Sequence, residues 1–438
     1  MIAVAGAIGT GLIIGSGTGL VRGGPASLLI AYSLIGAVVF FIMTAVGEMA
    51  TMLPSYKGFA GYATGFVDPA LGYATGWNYF LRYAIVLPTN LTAAGIIIQY
   101  WRPDLNVAIF VTTFTVAIVA VNLLHVSFGE AEFWMSAVKL LITMLVLTCF
   151  IISMGGQPSG EVIGFKYWSD PGAFGSYLVE GPTGRFLGFW AATVQACFAY
   201  AGTEVVGVAF GEAPNPRRTI RKAVRQTLWR IVFFYVLGAL KGTGAAASPF
   251  VVAVQLAGIP VFPHVVNGCL LIFVLIAANS GIYIGSRTPF GLARDERALG
   301  IFSKTTGKGV PIYGVAITSV FTVLAYMNAA KSSSQVFGYL VSLVTLFGRL
   351  NWASVLLSCI QVTRGMKAQG IPRSMMPYRY NAFIPKFTVS TFMTSYIRVV
   401  IYVVNIFSHK VYAKTKKMEL REMDLYSNRL EDDGNKYP

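Results

Sequence analysis

The sequence GAIGTGLIIGSG, residues 6–17, holds five glycines among twelve residues of an otherwise apolar run. Glycine is a poor helix former and costs about 1 kcal/mol relative to alanine inside a helix. A membrane helix that breaks frees backbone polar groups, and this is tolerated only where the break is buried in protein or faces a water-filled cavity. The stretch therefore predicts a membrane span that is broken over residues 6–11.

The composition of the whole chain is that of a membrane protein. Hydrophobic residues make up 55% of its 438 residues, charged residues make up 12%, and the mean hydropathy is +0.63. A soluble domain carries about 25% charged residues. Apolar runs of about 20 residues recur along the chain, and this length crosses a bilayer as a helix. The composition predicts an all-α polytopic membrane protein and excludes an ordinary soluble enzyme.

The net charge of +16 does not indicate a nucleic-acid partner, because the basic residues lie in the segments between the apolar runs. In membrane proteins such basic segments set the orientation by remaining on the cytoplasmic side. The four cysteines lie inside apolar runs, which favours small core residues over a disulfide framework. The three histidines are scattered near span ends, so no metal site is expected.

Ten apolar runs are long enough to be predicted as spans. They cover approximately residues 1–20, 26–53, 70–99, 105–124, 131–153, 186–212, 262–286, 311–329, 335–362 and 388–408.

The basic segments 214–230, 287–309 and 364–386, together with the tail from residue 410, are predicted to be cytoplasmic. Two cytoplasmic segments must be separated by an even number of spans. Between the basic segments 214–230 and 287–309 there is one full-length run, 262–286, so the short run 228–240 must act as a second, shortened span. Only one span separates the last basic loop from the tail, which predicts either that a span is missing before residue 388 or that the last run does not cross.

A second break is predicted one half-chain after the first, in CFAYAGTEVVGVAFGEA, residues 197–213. Broken helices at corresponding positions in two halves of a chain are typical of a transporter's substrate site. Freed N–H groups suit a carboxylate and freed carbonyls suit an ammonium group, and an α-amino acid carries both. The alternative is close helix packing, because Gly11 and Gly15, and likewise Gly207 and Gly211, have the small-xxx-small spacing.

Three stretches resemble the fungal branch of the amino acid permeases of the amino acid–polyamine–organocation superfamily: residues 1–17, residues 198–220 (FAYAGTEVVGVAFGEAPNPRRTI) and residues 279–293 (NSGIYIGSRTPFGLA). Residues 76–110 and GEAEFWMSAVKLL, residues 129–141, resemble more narrowly the fungal dicarboxylic amino acid permeases. The resemblance implies a LeuT-type inverted repeat of five plus five spans, with spans 1 and 6 broken and two further spans at the C-terminus. It also implies proton-driven import of amino acids at the plasma membrane, without a cofactor.

The chain departs from this family pattern at two places. The seventh span is cut after Leu240, and the eleventh span is missing between PYRYNAF, residues 377–383, and the run that follows. These are the places at which the count of spans conflicts with the basic segments. We therefore expect a permease domain over residues 1–408 with one span missing and one shortened, and a disordered cytoplasmic tail over residues 409–438.

The candidate substrate site consists of residues at the two breaks and one amide in span 3. Its residues are Ile8, Gly9, Thr10, Gly11, Asn90, Phe198, Ala199, Ala201, Gly202 and Glu204. Many members of the family carry a glutamate where Asn90 stands. A neutral amide can donate a hydrogen bond to the carboxylate of an acidic substrate. The alternative is that Asn90 joins two helices by a hydrogen bond.

Lys139 is the candidate for proton coupling. It follows Gly129 by ten residues, which places it about 15 Å along a helix and near the bilayer midplane. An ionisable residue at that depth is a functional candidate by default. Lys139 also resembles the fifth-span lysine of proton-coupled relatives, which lies beside the broken first helix. The alternative is a structural lysine that binds carbonyls of the broken helix.

Five further residues are assigned to gating or packing. Glu48 and Glu212 lie near the cytoplasmic face, and Asn279, Tyr283 and Ser286 share one face of span 8 that is expected to meet the fifth span and the first break. The chain is thus predicted to be a proton symporter that imports acidic amino acids such as glutamate and aspartate. A receptor that senses amino acids without transport, a channel and a non-functional shortened permease are the alternatives. The oligomeric state is left open.

Overall fold

The computed structural model describes residues 10–52, 58–123, 168–204, 261–307, 309–329 and 333–371. Throughout this part of the chain the regular elements are helices, in agreement with the all-α prediction. Several predictions concern residues outside it: spans 131–153, 228–240 and 388–408, the tail, and the site residues Ile8, Gly9, Lys139 and Glu212.

Eight α-helices form the described part. They are α1 (Ser16–Met52), α2 (Gly58–Phe66), α3 (Pro69–Ile98), α4 (Val107–Leu123), α5 (Gly181–Ala199), α6 (Phe262–Arg294), α7 (Ile312–Val320) and α8 (Ser333–Ala368). A π-helical turn, Gly11–Gly15, precedes α1, and a second one covers Trp168–Gly172. A 3₁₀ turn covers Gly300–Ser303, and another, Phe321–Ala329, continues α7.

Four of these helices, α1, α3, α6 and α8, are long and apolar enough to cross a membrane. Helix α4 and the segment Ile312–Asn328 are apolar but shorter. The helices correspond to predicted spans 26–53, 70–99, 262–286 and 335–362. The apolar runs of the sequence therefore form helices of the expected length.

The first two predicted spans are joined without a loop. Helix α1 continues to Met52 but is interrupted at Gly24, whose φ of 78° and ψ of 171° are not helical, and Pro25 follows. A Cβ at Gly24 would lie 2.6 Å from the backbone nitrogen of Gly175 and 2.8 Å from the carbonyl oxygen of Ala173. Only glycine combines this positive φ with so close a backbone approach.

The described residues belong to two compact units. The first unit comprises Met1–Val39, Phe80–Thr203 and Leu228–Thr345. Its apolar core joins α3, α4, α6 and α7 with the turn that follows α7. The core residues are Leu87, Leu91, Val107, Val111, Ile118, Ala278, Ile282, Val310, Val315 and Ala325.

The second unit comprises Phe40–Tyr79, Glu204–Thr227 and Leu346–Pro438. In this unit α3 and α8 are joined by polar contacts. Asn78 donates its amide hydrogen to the carbonyl oxygen of Phe347 at 2.8 Å, and the hydroxyls of Thr75 and Ser354 lie 3.0 Å apart. All four residues are buried. Such small polar contacts are a common way in which membrane helices associate.

Candidate functional site

The second predicted break is present in the structure. Helix α5 ends at Ala199, well inside the predicted span 186–212, and the chain continues as turns through residue 204. The backbone N–H of Tyr200 donates to the carbonyl of Ala196 at 3.0 Å, and the N–H of Ala201 donates to that of Phe198 at 2.9 Å. Gly202 has a φ of 102°, which a residue with a side chain rarely adopts. The glycine thus carries the chain out of the helix.

The first break is described only from Thr10 onward. Thr10 is buried, and the π-helical turn Gly11–Gly15 follows it. The hydroxyl of Ser16 donates to the carbonyl of Leu12 at the end of this turn. A π-helical turn within an α-helix is rare and occurs frequently at functional sites. The glycine-rich stretch is therefore irregular in the part that the structure describes.

The two breaks lie against each other. A Cβ on Gly11 would lie 2.5 Å from the Cα of Ala199 and 2.8 Å from the carbonyl oxygen of Phe198. Real Cβ atoms almost never come that close to backbone atoms, so only glycine permits this contact. The predicted residues Gly11, Phe198 and Ala199 are thereby brought together. The end of α5, with its partial negative charge, lies at this contact.

The packing interpretation holds for Gly11 and Gly15, whereas Gly207 and Gly211 lie outside the described residues. Gly11, Gly15, Gly19 and Gly23 recur at every fourth position and all face α5. The nearest α5 atoms belong to Ala199 at Gly11, to Gln195 at Gly15 and to Gly188 at Gly23. The glycines therefore permit close approach of two helices along their length, and the breaks lie at one end of that contact.

Aromatic side chains enclose the residues at the second break. The ring of Phe198 meets that of Phe337 edge-on, with centroids 6.0 Å apart. The hydroxyl of Tyr200 donates to the carbonyl oxygen of Tyr32 at 2.9 Å, and both tyrosines are fully buried. Sequence reasoning missed Tyr32 and Phe337, because an aromatic residue inside an apolar run carries no local signal of what it contacts.

Asn90 is buried in α3 and does not join two helices through the hydrogen bond that the structure shows. Its amide nitrogen donates within the helix to the carbonyl oxygen of Val86 at 3.0 Å. Its amide oxygen is buried and has no hydrogen-bond partner among the described residues. This bond lies within α3, so it does not support the interpretation that Asn90 joins two helices. The amide of Asn90, in the first unit, can still make further hydrogen bonds.

The face of α6 that carries Asn279, Tyr283 and Ser286 makes packing contacts. Asn279 accepts a hydrogen bond of 2.6 Å from the amide of Asn122 on α4. The hydroxyl of Ser286 donates to the carbonyl oxygen of Tyr283 at 3.1 Å, and the guanidinium of Arg287 lies 3.4 Å from the centre of the Tyr283 ring. The described part of the fold thus shows α4 beside this face at Asn279, and the contact with the first break stays a prediction. The fifth span, the other expected neighbour, lies outside the described residues.

Two glutamates assigned to the site or to gating belong to the second unit. Glu204 is buried, and one of its carboxylate oxygens accepts a hydrogen bond of 3.4 Å from the indole nitrogen of Trp352 on α8. Sequence reasoning missed Trp352. Glu48 is partly exposed and lies one turn before α1 ends at Met52, as expected for a residue at a helix end.

Among the residues that the structure describes, no group of three or more histidine, cysteine, aspartate or glutamate side chains could hold a metal ion. The described site therefore consists of helix ends, backbone groups and a few buried amides. Such a site can bind a small polar molecule through hydrogen bonds and helix-end charges.

The model of the family described as amino acid permease matches residues 1–388. The chain belongs to the amino acid permease family. It is 51% identical over 467 aligned positions to an uncharacterized amino-acid permease of Schizosaccharomyces pombe, covering 97% of this chain and 89% of the relative. It is 41% identical to the dicarboxylic amino acid permease of Saccharomyces cerevisiae, covering 98% and 78%. A proline-specific permease of Emericella nidulans is 35% identical, with coverage of 99% and 87%. The chain is therefore a membrane transport protein and not an enzyme.

Both the fold and the length of this permease can be compared with known proteins. The manganese transporter of Eremococcus coleocola has a similar fold, with a TM-score of 0.52 at 11% identity, covering 93% of this chain and 84% of that one. The LeuT-type fold is thus confirmed.

The alignment of 467 positions with the S. pombe permease is longer than this 438-residue chain. That relative therefore has internal residues without a counterpart here.

Proposed function

We propose that this amino acid permease imports acidic amino acids together with protons across the plasma membrane, with its C-terminal tail in the cytoplasm. The contact of Gly11 with Ala199 and Phe198 carries the proposal. It shows that two irregular segments, distant in sequence, meet through their backbones. Sites at which broken helices meet are typical of transporters that work by alternating access.

The substrate is placed at this contact. Its carboxylate is assigned to backbone N–H groups of residues 8–11, and its ammonium group is assigned to carbonyls at the end of α5, near Phe198, Ala199 and Ala201. The partial charges at helix ends support this orientation, because a helix C-terminus attracts a cation. Gly202 shapes the turn that ends the helix. Glu204, in the second unit, is assigned a role in gating through Trp352.

The preference for an acidic substrate is supported by two observations. The first is the 41% identity to a permease named for dicarboxylic amino acids, although other relatives, at 35% and 34% identity, are named for proline and lysine. The second is Asn90, a neutral amide whose nitrogen has a further hydrogen to donate to a side-chain carboxylate. Lys139 remains the proposed proton-coupling residue, because the sequence predicts that it lies near the bilayer midplane.

Uptake of radiolabelled L-glutamate by fungal cells that lack their own acidic amino acid uptake tests this function. Expression of the chain should give saturable accumulation against the gradient, greater at pH 5 than at pH 7.5 and abolished by a protonophore. Binding to the purified protein without accumulation would favour the receptor, and equilibration without accumulation would favour a channel. Accumulation of neutral amino acids alone would refute the acidic substrate.

A second candidate function is a shortened permease that binds its substrate but does not transport it. The S. pombe permease carries internal residues absent here, and this observation favours it. Sequencing the transcript across codons 240–242 and 380–386 would show whether the coding sequence continues differently there. A transcript that agrees with the present chain, together with uphill accumulation, would exclude this candidate.

A further inference from the structure

Gln195 is a buried polar side chain at the glycine-lined contact between α1 and α5. It lies on α5 four residues before the helix ends at Ala199, and only 3% of its surface is exposed. A Cβ at Gly15 would lie 3.1 Å from the amide oxygen of Gln195, and a Cβ at Gly19 would lie 3.4 Å from the Cβ of Gln195. The absence of side chains at both glycines makes the room that Gln195 occupies.

Among the residues that the structure describes, the amide oxygen of Gln195 has no hydrogen-bond partner. A buried acceptor without a donor is destabilising, and most buried polar groups in native proteins have a partner. A leucine or methionine would fill the same space without this penalty. A glutamine at this place is therefore explained best by a donor that the described residues do not supply.

The surroundings of the amide oxygen favour a positively charged donor. The C-terminal end of α5 carries a partial negative charge one turn away. The ring of Phe198 lies 3.5 Å from the Cβ position of Gly15 and meets the ring of Phe337, so this side of the contact between α1 and α5 is apolar. An anion would be repelled by the helix end and by the lone pairs of the amide oxygen. An ammonium group would be attracted by both.

We propose that Gln195 accepts a hydrogen bond from the ammonium group of the bound amino acid, an inference that rests on the proposed binding of an amino acid at the two breaks. Four residues of helix correspond to about 6 Å. The amide oxygen lies beside Gly15, one turn from the contact of Gly11 with Ala199, and a rotation of the glutamine side chain spans the distance to an ammonium group at the last carbonyls of α5. Gln195 acts here as a specificity residue that selects amino acids over carboxylic acids without an amino group.

The competing explanation is packing alone, in which Gln195 only fills the space beside Gly15 and Gly19. The two explanations differ in how they treat the ligand. A packing role affects every ligand at the breaks equally, because it changes the contact between the helices. A hydrogen bond to the ammonium group affects only ligands that carry one.

Binding to the purified full-length chain distinguishes them. The probes are L-glutamate and glutarate, which has both carboxylates but no amino group, and the readout is the concentration at which each raises the melting temperature. Gln195→Leu should weaken L-glutamate binding by roughly 10- to 100-fold, the usual effect of losing a hydrogen bond to a charged group, and leave glutarate binding unchanged. Gln361→Leu is the matched control, because the amide oxygen of Gln361, in the second unit, also has no partner in the described part of the chain. It should change neither.

Equal weakening of both ligands, or no weakening of either, would overturn the proposal in favour of packing. If Gln195→Leu does not yield folded protein, Gln195→Met, which keeps the length of the side chain, gives the same comparison. Failure of the wild-type chain to bind L-glutamate would overturn the proposed acidic substrate and, with it, this inference. If the wild type binds L-glutamate and the Gln195 variants keep the wild-type ratio of L-glutamate affinity to glutarate affinity, the role of Gln195 is overturned and the proposed function stands.

Discussion

Adding a single methyl group at Gly11 should separate the two breaks. In Gly11→Ala the new Cβ would lie 2.5 Å from the Cα of Ala199, 2.8 Å from its nitrogen and 2.8 Å from the carbonyl oxygen of Phe198. All three are backbone atoms, so no side-chain rotation relieves the clash. Favourable contact between heavy atoms requires about 3.5–4 Å, and the segments must therefore move apart by about 1 Å.

The energetic effect follows from two opposing contributions. Overpacking in a close contact costs about 1–3 kcal/mol. Replacing glycine by alanine lowers the conformational entropy of the unfolded chain, which returns about 0.4–1 kcal/mol. The net expectation is a destabilisation of about 1–2 kcal/mol. The loss of ligand binding should be larger than the loss of stability, because the displaced atoms form the proposed site.

The assay is thermal unfolding of the purified protein with and without L-glutamate. Gly11→Ala should melt at a lower temperature and lose most of the shift that the ligand produces. Gly338→Ala is the control, because no atom lies within 4 Å of the Cβ it would add inside α8. That variant should be as stable as the wild type or more stable by up to about 1 kcal/mol, with normal binding. Wild-type melting and binding in Gly11→Ala would refute the contact between the breaks.

Three further substitutions test other parts of the chain. Lys139→Ala should abolish accumulation of glutamate against its gradient in cells; accumulation with the wild-type pH dependence would make this lysine structural. Asn351→Leu removes a fully buried amide whose nitrogen and oxygen both lack partners among the described residues, and should raise the unfolding free energy by about 1 kcal/mol; a lower melting temperature would contradict this. The hydrogen bond from Arg102 lowers the pKa of Asp104, so any stabilisation exists above the unfolded pKa and is lost as pH falls through the folded one. Because the pair is exposed, Asp104→Asn should melt like the wild type at pH 7, and a clear decrease would show that the pair matters.

The local features of the site could be predicted from the chain itself. The glycine cluster at residues 6–17 and the Gly202 turn mark irregular backbone, because helix propensity and positive φ depend on a residue and its immediate neighbours. The length of the apolar runs likewise predicts the spans. The sequence did not predict the direct connection of the first two spans at Gly24. A gap between two apolar runs does not reveal that only one non-helical residue separates the helices.

What each buried polar group contacts could not be predicted in the same way. Asn90 donates to its own helix, Asn279 meets Asn122, and Trp352 donates to Glu204. Each outcome depends on which helix lies beside which, and on the rotation of each helix about its axis. Those quantities result from packing summed over many apolar side chains, and no single motif carries them.

The amino-acid sequence by itself determined that this chain is a helical membrane protein and that it belongs among the amino acid permeases, and it predicted that two of its helices are broken. These properties follow from hydropathy, glycine placement and family motifs, which are local or additive along the chain. Only the tertiary structure decided that Gly11 rests on Ala199, that a row of glycines holds α1 close to α5, and that Gln195 lies between them with an unused acceptor. Contacts between residues nearly two hundred positions apart exist only once the helices have packed, because helix crossing and rotation are set by close packing of the whole interface.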